Sequence, residues 1–317
     1  MKALYCHKGN LEFMDSYPRP KVDAGEALIR ISMAGICATD LEIKKGYMGF
    51  QGVLGHEFVG VVEESNDRTW IGQRVVGEIN CSCGACTFCR RGLRNHCAYR
   101  TVLGILNRDG AFAEFLSLPT ANIHLVPRSL SDEEAVFVEP LAAAYQVLEQ
   151  VKVDERDLVG VLGDGKLGLL VAQVLAEVTD RLYLIGHHPE RAVLIQAKPV
   201  RFTSVEECDE RDFDLVVECT GSCRGLPLAL SLLRPRGTLV LKSTVFDGST
   251  LDFSPAVVNE ITLVGSRCGP FPRALAALAS QKVRVTPLIE GILPLLDGLR
   301  AIERAGRPGT LKILLKN

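Results

Sequence analysis

The sequence predicts an α/β chain in two parts, a strand-rich first part and a doubly wound parallel sheet. Three observations carry that prediction. The first is a turn, Gly163-Asp164-Gly165-Lys166-Leu167-Gly168, set between an apolar strand-like run and a helix-period run. The second is the alternation of strand-like and helix-like segments beyond residue 157, which implies parallel strands joined by helical crossovers. The third is the texture before residue 131, where alternating or β-branched runs are punctuated by glycine.

From the N-terminus, residues 27–34 alternate apolar and polar side chains, and 58–63 and 74–76 add β-branched runs bounded by Gly60, Gly72 and Gly77. Ser131-Asp132-Glu133-Glu134 is a capping-box pattern that opens an Ala-rich helical stretch through residue 149, interrupted at Glu139-Pro140. A strand at 158–162, the glycine turn and a helix at 169–178 follow. Strands are expected at 182–185, 214–218, 238–241 and 261–264, with a helix at 224–233. The tail carries helices at 273–280 and 297–305 and a last strand at 312–315.

At 317 residues the chain exceeds what one hydrophobic core usually serves, so two domains are expected. A hydrophobic share of 47%, a charged share of 23% and a net charge of -2 give no basic surface, which excludes a nucleic-acid partner. No stretch reaches the roughly 20 apolar residues that span a bilayer, and residues 1–7 do not read as a signal peptide. A cytoplasmic protein is expected, with eleven cysteines serving as metal ligands or reduced core thiols.

Four of them, Cys83, Cys86, Cys89 and Cys97, form a C-x2-C-x2-C-x7-C array. Closely spaced thiolates supply the tetrahedral donors of a structural zinc, and Gly84 and Gly92 let the backbone curl around it. Cys81 beside the array reads as a buried thiol.

In the glycine turn, Gly163 permits the tight bend, Gly165 lets the backbone approach a pyrophosphate, and Gly168 lets helix and strand pack closely. With Lys166 and Leu167 these residues predict a dinucleotide site. The usual partner of the motif, an Asp or Glu ending the second strand, is Gly186 here. Nothing at that position repels a 2′-phosphate, while His187, His188 and Arg191 offer donors to one. NADP is therefore favoured over NAD, with Glu190 nearby counting the other way.

Three further motifs hold metal-ligand types: Gly35-Ile36-Cys37-Ala38-Thr39-Asp40, Gly55-His56-Glu57 and Val138-Glu139-Pro140-Leu141. In this order, around the cysteine array and ahead of the glycine turn, they resemble the zinc-dependent medium-chain dehydrogenase/reductase family, nearest its polyol, sugar and threonine dehydrogenase branch. The resemblance covers essentially the whole chain. It implies a barrel-like, GroES-like catalytic domain over 1–140 with a zinc lobe at 81–97, a Rossmann domain over 141–266, and a return of 267–317 to the catalytic domain, with the active site between the domains.

The resemblance also assigns roles. Cys37, His56 and Glu139 match the ligands of a catalytic zinc, and Glu57 matches a carboxylate that can join the metal. Thr39 matches the hydroxyl that passes the substrate proton outward, and Asp40 an acid that orients His56. Cys219, Thr220 and Arg267 match positions lining the cofactor cleft, although a buried reduced thiol is an equal reading of Cys219. Two departures stand out: Glu42 replaces the His that finishes the proton relay in many relatives, and 189–214 looks trimmed.

The implied protein binds two Zn2+ per chain and NADP, with NAD possible, and forms a homodimer or homotetramer. It acts on a small molecule, moving hydride between a secondary alcohol and the cofactor to give a ketone or aldehyde. The rival readings are an NAD-linked dehydrogenase of the same family, a zinc-free quinone or enone reductase, and a zinc-ribbon binding module.

Overall fold

The computed structural model describes residues 1–195, 200–244 and 252–317. Part of the stretch that looks trimmed, 196–199, lies outside the described residues. The chain divides into one unit of Met1–Glu139 with Ile289–Asn317 and a second of Pro140–Leu288. Among the described residues no helix is long and apolar enough to cross a membrane.

The first unit is built on the strand Glu26–Gly35, whose apolar positions are almost all buried. Antiparallel partners flank it: Glu57–Ser65 on one side, and Phe115–Pro119 and the last strand, Lys312–Lys316, along the other. Val59, Val62, Leu116, Leu118, Ile313 and Leu315 fill the core that these strands share, each at most 2% exposed. The chain terminus is thereby sewn into the middle of the sheet. A hairpin of Ala3–His7 and Asn10–Met14, which the sequence pattern does not signal, forms a separate small sheet with Gly52–Val53.

In the second unit, six parallel strands stand in the order Arg201–Ser204, Leu182–Gly186, Val159–Leu162, Phe213–Glu218, Leu233–Leu241, Thr262–Gly265. Numbered along the chain this is 3-2-1-4-5-6, the Rossmann order, which reverses direction beside Val159–Leu162 and so opens a ligand crevice at the strand ends. Helix Lys166–Leu175 is buried along nearly its whole length.

Two expectations need correction. Residues 267–288 stay with the parallel sheet rather than returning to the first unit, and the return begins at Ile289. Side chains tie this segment down: Lys242 Nζ donates to the Arg267 carbonyl at 3.0 Å, Arg273 pairs with Glu149 at 2.9 Å, and Gln173 bonds the backbone of Arg284 in both directions. Nor does Glu139-Pro140 interrupt a helix. The break falls between Asp132–Ala135 and Val138–Gln150, and Pro140 sits in the first turn of the second helix, where its missing N–H has no intrahelical partner to lose.

Candidate active site

Cys37 precedes the helix Ala38–Lys44 as its N-cap, and its backbone N–H donates to Asp40 Oδ2 at 2.8 Å. That bond fixes the bend of the Cys-x-x-Asp segment. His56 and Glu57 stand at the start of the strand Glu57–Ser65, 3% and 0% exposed. Register places Glu57 opposite Gly35, and a Cβ on Gly35 would collide with the Glu57 carboxylate. The glycine makes room for the acid.

Cys37 Sγ, a His56 ring nitrogen and a Glu57 oxygen all lie within 4.8 Å of one another. His56 Nδ1 is 3.3 Å from Asp40 Oδ1, and neither buried atom has a well-formed hydrogen bond. Burial works against the imidazolium, but Asp40 and then Cys37 outweigh it and hold the His56 pKa well above its ordinary value. Thr39 Oγ1 lies 3.8 Å from Cys37 Sγ. Glu42, where the relay of many relatives ends, pairs with Lys45 at 2.7 Å.

The cluster also contains a cation that the sequence alone does not reveal. Lys312, 2% exposed, donates to Glu57 Oε2 at 2.5 Å and to the Ile36 carbonyl at 3.4 Å. Burial lowers its pKa, yet Glu57, Cys37 and Glu139 together raise it above the ordinary lysine value, so the ammonium is held charged. Glu139 thus lies within electrostatic reach of the cluster, in the first turn of Val138–Gln150, but stands outside the tight Cys37, His56 and Glu57 group.

These residues fit a divalent metal. Glu57 Oε1 is buried without a donor, a costly arrangement that a cation relieves. Three acidic groups, Cys37, Glu57 and Glu139, act on buried Lys312, while Asp40 faces His56. Thiolate, imidazole and carboxylate are the zinc donor types.

The second cluster fits as well. Cys86 Sγ is 3.5 Å from Cys89 Sγ and 3.8 Å from Cys97 Sγ, and Cys97 Sγ is 3.5 Å from Cys83 Sγ. Those separations are too long for disulfides and close to the edge of about 3.8 Å of a tetrahedron with Zn–S bonds of about 2.3 Å. Backbone N–H groups of Cys89 and Ala98 lower the Cys86 thiol to about 6, while burial and the neighbouring thiols push that of Cys89 up to about 11, so the first thiolate forms at Cys86.

In the second unit, Gly163 has φ 110°, and a Cβ there would come 2.8 Å from the Cys219 backbone. A Cβ on Gly168 would collide with the Gly163 carbonyl. Gly165, by contrast, has nothing within 4 Å of that position. Protein packing therefore explains two glycines, and the open space over the third is the cradle a pyrophosphate needs, at the N-terminus of Lys166–Leu175. Lys166 and Leu167 open that helix.

Family models match segments in each of the two units. Residues 23–128 match the family model of the alcohol dehydrogenase GroES-like domain, and 201–281 that of the zinc-binding dehydrogenases. Sorbitol dehydrogenase of Halalkalibacterium halodurans is 27% identical across 94% of this chain and 93% of its own length. D-arabinitol dehydrogenase 1 of Uromyces fabae is 27% identical across 100% of this chain and 97% of its own. The structure of alcohol dehydrogenase TADH from Thermus sp. ATN1 matches with a TM-score of 0.86 at 30% identity, covering 100% of this chain and 99% of that one. The chain belongs to the zinc-binding medium-chain alcohol dehydrogenase family. It is an NAD(P)-dependent alcohol dehydrogenase of the polyol and threonine branch.

At the adenosine end of this dehydrogenase the groups from which NADP is expected have partners within the protein. Gly186 leaves no vacancy, because the Asp164 carboxylate fills the space, 2.5 Å from where a Cβ on Gly186 would stand. Its Oδ2 accepts from the backbone N–H of His187 at 2.9 Å and of His188 at 2.6 Å, and lies 3.1 Å from His188 Nδ1. Arg191 is 8% exposed, with NH1 donating to the Asp164 carbonyl at 2.9 Å and lying 3.7 Å from Oδ1. The exposed His187 faces Glu206 at 3.7 Å. Each group expected to receive a phosphate already faces an acid.

Cys219 packs its backbone on Gly163, and burial, then Glu218, raises its thiol pKa, which keeps it protonated. Thr220 donates to buried Glu218 Oε1 from both its backbone N–H and its hydroxyl, each at 2.6 Å. Arg267 is exposed. Sequence reasoning misses Lys312 and Asp164, though each leaves a sign: a lysine opening an otherwise apolar final strand, and an acid inside the glycine motif itself.

Proposed function

We propose that this dehydrogenase is zinc-dependent and oxidises a secondary alcohol of a polyol, sugar or related hydroxy compound, or reduces the matching carbonyl. The convergence of Cys37, His56 and Glu57 around an acceptor without a donor carries the reading. When bound, zinc supplies a Lewis acid that lowers the pKa of an alcohol, and the nicotinamide supplies the hydride acceptor. Cys37, His56 and a carboxylate from Glu57 or Glu139 hold the metal. Asp40 orients His56, Lys312 restrains Glu57, and the Thr39 hydroxyl beside Cys37 takes the departing proton. Because Glu42 is engaged by Lys45, the proton leaves from Thr39 to water rather than along a longer relay. Gly165 admits the pyrophosphate, and four cysteines of the lobe hold a second, structural zinc with no open position.

The reading extends to a cytoplasmic homodimer or homotetramer, the location supported by eleven cysteines none of which is placed in a disulfide. A panel of polyols, sugars and short secondary alcohols, followed by cofactor reduction, tests the activity. Turnover confined to secondary hydroxyls and abolished in His56→Ala is expected. Equal turnover in that variant, or reduction of quinones alone, contradicts it.

A further inference from the structure

Rossmann folds that prefer NAD place an acid at the end of the second strand, where it accepts hydrogen bonds from the adenosine ribose and repels a 2′-phosphate. Here that strand, Leu182–Gly186, ends in glycine, yet the place is not empty. Asp164 reaches it from inside the phosphate-binding turn, its side chain packed on the Gly186 backbone so closely that any side chain at 186 would collide with it. Glycine at 186 and aspartate at 164 are therefore sterically coupled: the acid stands in the turn, and the strand end carries no side chain that would exclude it.

The bonding of Asp164 says which way this carboxylate works. Oδ2 is saturated by the backbone N–H groups of His187 and His188, which pins the loop after the strand and fixes the carboxylate's orientation. Among the described residues Oδ1 takes no comparable bond and has the 3.7 Å contact to Arg191. One oxygen anchors while the other keeps acceptor capacity for a hydroxyl. Among the described residues, Glu190 and Glu206 lie close in sequence or space to the two histidines, and the guanidinium of Arg191 is turned onto Asp164.

We propose that Asp164 is the residue through which this dehydrogenase selects its cofactor, accepting from the adenosine ribose through Oδ1 and excluding the 2′-phosphate, so that NAD binds in preference to NADP. The inference rests on the dinucleotide site assigned above. An added phosphate meets a fixed carboxylate that cannot turn away, because Oδ2 is held by two backbone donors, and discrimination by a built-in repulsion follows.

Calorimetric titration of the whole protein with NADH and NADPH tests it without reference to turnover. The wild type is expected to bind NADH at least tenfold more tightly. Asp164→Asn keeps the size and an acceptor for the two N–H groups but removes the charge, and should shrink that ratio about tenfold, mainly by improving NADPH. The exchange Asp164→Gly with Gly186→Asp returns the acid to the strand end and should restore the wild-type ratio. Tighter NADPH binding by the wild type, or an unchanged ratio in Asp164→Asn, overturns the proposal. So does an equal loss of affinity for both cofactors, which would mark Asp164 as a loop anchor only. Binding of neither cofactor to the wild type would overturn the dinucleotide site itself and the proposal with it.

Discussion

Glu57 is held between two demands. Lys312 binds one of its oxygens at 2.5 Å, while the other is buried with no donor. An acid tethered this way can approach a metal without collapsing onto it, and the tether is a single ammonium. Removing that ammonium leaves the carboxylate charged and unpaired in a dry site, a defect that in buried pairs costs about 3–5 kcal/mol. Lys312→Met should therefore lower the unfolding free energy measured in urea by about that much, and Glu57→Gln in the same chain should recover most of the loss. A single Lys312→Met variant as stable as the wild type would show that the pair does not restrain Glu57. Residue types that bind metals are legible in the sequence, since Cys37, His56 and the cysteine array carry their chemistry in their names. Lys312 is not, because its partner lies 255 positions away and only the pairing of the last strand with Glu26–Gly35 brings the two together.

At the level of elements, glycine and alternation mark the parallel sheet, whose strands at 159–162, 182–186 and 213–218 fall close to where the pattern puts them. Pro140 misleads because a proline reads as a breaker wherever it stands, whereas in a first turn it is harmless. The helix Phe271–Ala279 keeps its place in the sequence but not its expected unit, since amphipathic periodicity says that a face is buried and not against what. The outermost strand of the parallel sheet, Thr262–Gly265, leaves Leu263 38% exposed, and the preceding helix Ser254–Val258 leaves Val257 and Val258 75% and 79% exposed. An apolar strand edge of this kind is a pairing surface, and a second copy of the chain is the proposed cover. Light scattering should return a multiple of the 34.5 kDa chain mass, falling to one chain mass in Leu263→Lys. A wild-type monomer would contradict the proposal.

For the whole molecule, one unit carries the proposed metal donors and the other the proposed dinucleotide cradle. The order of motifs along the chain is enough to place it in its family, and the 3-2-1-4-5-6 strand order and the interlocked chain ends are what that order builds. Position 186 read alone points to NADP, and only folding shows that the Asp164 side chain lies against it, the basis of the cofactor choice proposed above. Above all, two chemically different zinc sites are proposed to coexist in each chain, one closed and one reactive. Zinc counted per chain by plasma emission, in the wild type and in Cys37→Ala and Cys97→Ser, is the shortest route to a decision. Two are expected in the wild type and one in Cys37→Ala, with turnover lost and the fold intact by circular dichroism. One is expected in Cys97→Ser as well, the metal at Cys37 remaining. One zinc or none in the wild type, or two in Cys37→Ala, would contradict the two-site assignment.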